Sequence, residues 1–168
     1  MKAKQTLKLC ISSCLLGHNV RYDCGNKLDR RLFDAFGPSV EWVPVCPEME
    51  CGMTVPREPM QLVGDSRMPR LVTVETKVDR TGELSSWAAK KVMQLELEGI
   101  SGFIFKARSP SCGVKDTPLF SITGTIIGVR AGLFAEAVKK HFPLLPIEDE
   151  ESLRDPATYE RFLSGISA

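Results

Sequence analysis

The chain has no surplus of charge of either sign. Its 168 residues carry 22 Lys and Arg against 21 Asp and Glu, a formal net charge of +1. Proteins that follow a nucleic-acid backbone carry a clustered basic excess, so no stable nucleic-acid complex is expected. A basic pocket for a single phosphate stays possible. Also absent is any apolar run near the ~18 residues that a membrane span needs, and no repeat or low-complexity tract interrupts the sequence. Zinc sites closed by four ligands usually show close CxxC pairs, and none is present here. What remains is an ordinary globular composition, 43% apolar and 26% charged. The length suits one domain covering residues 1–168. Oligomeric state leaves no mark in the sequence.

Six cysteines stand out: Cys10, Cys14, Cys24, Cys46, Cys51 and Cys112. The amino-terminal stretch MKAKQTLKLCISSCLLG superficially suggests a secretion signal ending at Cys14. Lys8, however, leaves too short an apolar run before Cys14 for the ~7–15 residue core of such a signal. The segment reads better as a buried first strand, and the protein as cytoplasmic. Thiols stay reduced there, so these residues are expected to be metal ligands, catalytic groups or core fillers rather than disulfides.

Pattern and punctuation predict an alternation of strand and helix. Strands are expected at Leu7–Ser13, Val40–Val45, Gly102–Lys106 and Leu144–Ile147, with a further extended segment over Leu71–Val78. Helices are expected over Lys27–Phe36, from an N-cap at Ser85 or Ser86 through Glu98, over Leu133–Phe142, and over Pro156–Leu163. Pro47 to Pro69, with prolines at 47, 56, 59 and 69, reads as a long irregular loop of the functional kind. The fold class that follows is α/β, a Rossmann-like open and mostly parallel sheet with helices on both faces.

Three cysteines share one address in that frame. Cys14 follows the first strand, Cys46 ends the second, and Cys112 lies beyond the third. Residues just past the carboxyl ends of neighbouring strands converge on one crevice in such sheets. The flanking Ser13, Pro47, Ser111 and Gly113 would let backbone amides face the sulfurs and stabilise thiolates. Two metal centres fit three thiolates equally at this level. One is a catalytic zinc with His18 recruited as a fourth ligand. The other is an iron–sulfur cluster that leaves one iron without a protein ligand. Cys10 cannot join through β spacing, since four residues of strand put it ~13 Å from Cys14.

The motifs CLLG and VRYD (Cys14–Gly17, Val20–Asp23), VPVCPE (Val43–Glu48), PRE (Pro56–Glu58) and FKARSPSCG (Phe105–Gly113), in that order, resemble the DUF523 family. That family includes thiouracil desulfidases, and the resemblance runs from about Lys8 to Arg130. It implies a Rossmann-like fold and a [4Fe-4S] cluster held by Cys14, Cys46 and Cys112. It also implies removal of sulfur from a thiolated pyrimidine or its nucleotide, with release of sulfide. Free 4-thiouracil, 4-thiouridine, 4-thio-UMP and 2-thiouracil are the candidate substrates. The chain departs from the pattern at Cys24, where relatives carry Gly, and at Cys51, which follows CPEME. Cys51 is therefore an alternative to Cys46 as a ligand, while Cys10 and Cys24 read as core or loop thiols.

Hydrolysis of a thiocarbonyl needs a polarised sulfur, a water nucleophile and proton transfer. Glu48, two residues past Cys46, is the candidate base. Ser109 and Ser111 are candidates to hydrogen-bond the pyrimidine or the cluster sulfurs. Lys106, at a strand end, leads the candidates for a substrate phosphate, with Arg108, Arg57 and Arg21 behind it. Asp23 is expected to clamp Arg21 or Lys27. Two other functions compete: a zinc-dependent nucleobase hydrolase or deaminase, and a non-catalytic module that binds a nucleotide or sulfide.

Overall fold

The structure is a computed structural model that describes residues 6–168, so the first five residues of the signal-like stretch lie outside it. In chain order the elements are β1 (Leu7–Ser12), α1 (Arg30–Phe36), β2 (Val40–Val45), α2 (Pro47–Glu50), β3 (Met60–Gly64), β4 (Pro69–Thr73) and α3 (Thr81–Glu98). There follow β5 (Gly102–Phe105), β6 (Thr117–Phe120), β7 (Ile126–Arg130), α4 (Leu133–His141), β8 (Ile147–Asp149) and α5 (Pro156–Ile166).

Four of the strands form a wholly parallel sheet in the order β2-β1-β5-β8. Alternation along β1 and β5 decides which helices lie on which face. Leu9, Ile11 and Ile104 point one way, into a layer with Leu32 and Phe36 of α1 and Phe162 and Ile166 of α5. Cys10, Phe103 and Phe105 point the other way, against Val92 and Leu95 of α3 and Phe134 and Val138 of α4. Phe103 and Phe105 stack at 3.8 Å, and Phe134 meets both edge-on. Each of these side chains stabilises by about 1.5–3 kcal/mol through burial. Both faces are thus covered, which explains why β1 and β5 read as nearly unbroken apolar runs.

A second, mixed sheet was not foreseen. Its order is β4-β3-β6-β7, antiparallel except where β3 meets β6. Leu62, Leu71 and Leu119 pack there with Met53 and with Leu84 of α3. The expected loop from Pro47 to Pro69 is therefore corrected: it contains α2 and β3, and only residues 51–59 and the turn at 65–68 are irregular. The prolines misled because two of them stand at element starts. Pro47 occupies the first turn of α2 and Pro69 opens β4, positions where a missing N–H costs little.

Helix and strand ends also moved. α1 begins at Arg30, where Asp29 caps it by accepting from the Arg31 amide. α3 begins at Thr81 rather than Ser85, because Asp79 accepts from the Thr81 amide and Thr81 Oγ1 accepts from Leu71 N. The last strand runs from Ile147 to Asp149, later than expected. Among the described residues, no helix is long and apolar enough to cross a membrane.

Candidate active site

The site forms at the carboxyl ends of β1, β2 and β5. Past β1, a 3-10 turn over Ser13–Leu16 carries Cys14, and Gly17 closes it in the left-handed region at φ 89°. The carbonyl of Cys14 also accepts from the Lys27 amide at 2.9 Å, which folds the first loop back over the strand end. Past β2, Cys46 is the N-cap of α2. Its amide donates to Glu50 Oε2 at 2.9 Å, and Lys91 of α3 holds Glu50 Oε1 at 2.8 Å. Past β5, Ser109 Oγ accepts from the amides of Ser111 (3.3 Å) and Cys112 (3.1 Å), and Ser109 O accepts from Gly113 N. Those bonds curl SPSCG into a tight loop. Gly132 lies so close to this loop that a Cβ there would sit 2.6 Å from the Ser111 carbonyl carbon.

Cys14, Cys46 and Cys112 all line one cavity of about 420 Å³, within the range of small-molecule sites. Burial pushes the Cys14 thiol up to about 11, against the opposing pull of Arg21 and Lys106. Burial also raises Cys112, which hydrogen bonds from Ser12 and Ser111 oppose, and Cys14 and Cys46 raise it further. Cys46 is raised by burial and eased by the amides of Met49 and Glu48, which face its sulfur. The amide placement expected from the sequence is therefore present at Cys46. Three apposed thiols of this kind ionise together only when positive charge enters among them, as metal binding supplies.

Among the described residues, no three His, Cys, Asp or Glu donors converge tightly enough to hold a single ion. A single zinc would need its donors to meet within the ~2.3 Å zinc–sulfur radius. A polynuclear cluster needs no such convergence, because its ligands attach to separate iron atoms. His18 is exposed and is not among the lining residues. Cys51 donates to Glu48 O at 3.3 Å and packs on the Leu62–Leu71 cluster of the second sheet, away from the cavity. Cys10 is fully buried in the α3–α4 layer, and Cys24 is exposed.

Glu48 reaches the cavity from the first turn of α2. Its Oε1 accepts from Ser111 Oγ at 3.2 Å, and its Oε2 pairs with Arg57 Nη2 at 2.6 Å. Ser109 Oγ and Ser111 Oγ stand 3.1 Å apart. Lys106 lines the cavity with its ammonium 2.6 Å from Glu150 Oε1, while Glu150 Oε2 accepts from the Ala107 amide at 2.7 Å. Arg21 lies over the Tyr22 ring, and Asp23 stays 3.9 Å from its Nε. Cys14, Cys46, Cys112, Glu48, Ser109, Ser111, Lys106, Arg108, Arg57 and Arg21 thus line this one cavity, and the alternative ligands His18 and Cys51 do not.

A family model described as 2-thiouracil desulfurase matches residues 9–150. The chain belongs to this family. The matched span takes in every cavity-lining cysteine, Glu48, the SPSCG loop and, as its last residue, Glu150. An uncharacterised protein of Bacillus subtilis (strain 168), YbbK, is 29% identical over 150 residues, spanning 79% of this chain and 89% of the relative. Among solved structures, the [4Fe-4S]-dependent thiouracil desulfidase TudS (DUF523Vcz) superposes with a TM-score of 0.72 at 27% identity. That superposition covers 92% of this chain and 98% of TudS. Family membership and the α/β fold therefore agree with the resemblance carried by the motifs.

Sequence reasoning missed Glu150, Ser12, Tyr22, Lys27 and Gly132. A signal did exist for Glu150: it follows β8, the fourth strand of the parallel sheet, and so shares the address used for the cysteines. Placing that strand too early concealed it.

Proposed function

We propose that the protein is an iron–sulfur desulfidase that hydrolyses the thiocarbonyl of a thiolated pyrimidine. The overall change adds one water and releases one hydrogen sulfide, so that C=S becomes C=O with no change of oxidation state. Cys14, Cys46 and Cys112 would hold a [4Fe-4S] cluster, and their shared position on one cavity wall is the observation that carries the reading. When bound, the cluster supplies an iron free of protein ligands that can take the substrate's sulfur.

The chain's own residues would do the rest. Glu48 accepts a proton from the attacking water and returns it to the departing sulfur. Ser111 holds the Glu48 carboxylate, and Ser109 shapes the loop that presents Ser111 and Cys112. Candidate substrates are 4-thiouracil, 4-thiouridine, 4-thio-UMP and 2-thiouracil. Of the four cations named from the sequence, Arg21 is the most available to a phosphate, because Lys106, Arg57 and Arg108 already hold carboxylates at close range. Lys27 lies on the same rim. Six free thiols support a reducing compartment, the cytoplasm. Helix α3 packs on both sheets, through Leu84 on one and Val92 and Leu95 on the other, which supports one catalytic domain over residues 1–168.

The test is anaerobic purification with iron and acid-labile sulfide assays. Turnover of each candidate is then followed by loss of thiocarbonyl absorbance and by sulfide release. Iron, sulfide and turnover together support the proposal. Zinc in place of iron, or a loaded protein that releases no sulfide from any of the four compounds, overturns it.

A further inference from the structure

Arg57 belongs to the PRE segment, and from the sequence alone it is a candidate for substrate binding. The structure engages each of its guanidinium nitrogens with protein groups. A guanidinium has five N–H donors in a fixed fork. Arg57 Nε and Nη2 reach Glu48 Oε2 at 2.8 and 2.6 Å, and Nη2 also donates to Val20 O at 2.8 Å. Nη1 donates to Thr54 O at 3.3 Å and to the Met49 sulfur at 3.6 Å. Four hydrogen bonds and the ion pair with Glu48 thus engage all three guanidinium nitrogens, and the side chain is only 10% exposed. Its own amide donates to Tyr22 O, so the residue joins the first loop, α2 and the 51–59 loop.

The consequence falls on Glu48. Both Arg57 contacts close on Oε2, while Oε1 accepts a single hydrogen bond, from Ser111. One oxygen is saturated and the other keeps acceptor capacity toward the cavity. We propose that Arg57 is a positioning residue, which locks the Glu48 carboxylate so that Oε1 is the oxygen that takes the proton, and that it makes no contact with substrate. This rests on the reading of Glu48 as the base.

The experiment uses the cluster-loaded protein and compares wild type with Arg57→Gln, Arg57→Lys, Glu48→Gln and the Arg57→Gln/Glu48→Gln double variant. With 4-thiouracil, Arg57→Gln is expected to lower kcat about 10²-fold while KM moves less than about threefold, the pattern of a lost transition-state interaction. Affinity for the product uracil, measured by calorimetry, is expected to stay within the same threefold. Adding Arg57→Gln to Glu48→Gln is expected to cost no further kcat, because the two act as a unit. Arg57→Lys should recover kcat only in part, since one ammonium cannot bracket an oxygen as a fork does.

A rise of tenfold or more in KM or in the uracil Kd with kcat kept would make Arg57 a substrate ligand and overturn the proposal. Urea denaturation supplies a reading independent of turnover. There the double variant is expected to be at least as stable as Arg57→Gln alone, because Glu48→Gln removes the stranded carboxylate. Strictly additive losses would overturn the proposal. If wild type itself releases no sulfide, the desulfidase reading fails, and the denaturation cycle and uracil affinity still decide whether Arg57 serves Glu48.

Discussion

Ser111 Oγ stands 3.2 Å from Glu48 Oε1 and 3.8 Å from Cys112 Sγ, so one hydroxyl proton is offered to the candidate base and to a candidate cluster ligand. The pair joins the loop after β5 to the first turn of α2. Glu48→Gln is expected to reduce sulfide release by roughly 10²–10⁴-fold with the cluster retained, the usual worth of a general base. Ser111→Ala should cost less. It removes one hydrogen bond to a charged group, about 1.5–3 kcal/mol, hence on the order of 10–100-fold. Turnover at matched iron content checks both, and equal losses would place the two residues in one inseparable step.

The cysteines divide cleanly by location. Ser at position 14, 46 or 112 is expected to strip the cluster, costing more than the roughly 10–100-fold in affinity typical of losing an outer partner. Cys51→Ser and Cys24→Ser are expected to keep iron and sulfide near wild-type content, because one thiol packs on the second sheet and the other faces solvent. Loss of iron in Cys51→Ser would reassign the second ligand.

Glu150 is 7% exposed and Lys106 13% exposed in their side chains, at 2.6 Å from each other. Removing one member strands a desolvated charge, which typically costs about 3–5 kcal/mol. Glu150→Gln should therefore lower the urea midpoint markedly. The paired replacement Lys106→Met/Glu150→Leu should lose less than Glu150→Gln alone. The comparison is read from denaturation curves at fixed pH.

Much of this was readable from one-dimensional pattern, and the failures share a cause. The strand-end rule gathered Cys14, Cys46 and Cys112 because β1 and β5 are covered on both faces and announce themselves as apolar runs, while the edge strand β2 declares itself by its valines. The second sheet stayed hidden because its strands have only four or five residues, with prolines that look like breakers when read in isolation. Lys106 and Arg57 looked like free cations because their carboxylate partners lie elsewhere in the chain, at Glu150 and Glu48. Gly132 could not be singled out, since only the folded chain brings it against Ser111. Local periodicity reports burial; it says little about which charges meet.

Cys10 carries a pH dependence that needs no cluster. Burial, with a smaller push from Glu98, raises its thiol to about 12. An unfolded chain releases that proton near 8.5, so the folded protein binds more protons at alkaline pH. Its contribution is complete below the unfolded value and is lost as pH climbs through 9 toward 12. At about 1.4 kcal/mol per unit, the upper bound is a few kcal/mol. Urea unfolding at pH 7.5 and pH 10.5 is expected to show a fall that Cys10→Ala flattens. An identical fall in the variant would assign the loss to other groups.

The ion pair between Lys106 and Glu150 also constrains when the pocket can exist. Glu150 arrives with β8, which among the described residues pairs only with β5, some forty residues earlier in the chain. While the polypeptide is still emerging from the ribosome, Cys14, Cys46 and Cys112 are all synthesised before the carboxylate that steadies the Lys106–Ala107 corner. A nascent chain held short of β8 would present its thiols on an unfinished wall. The Lys106–Ala107 corner of the cavity is therefore completed only once β8 has docked beside β5.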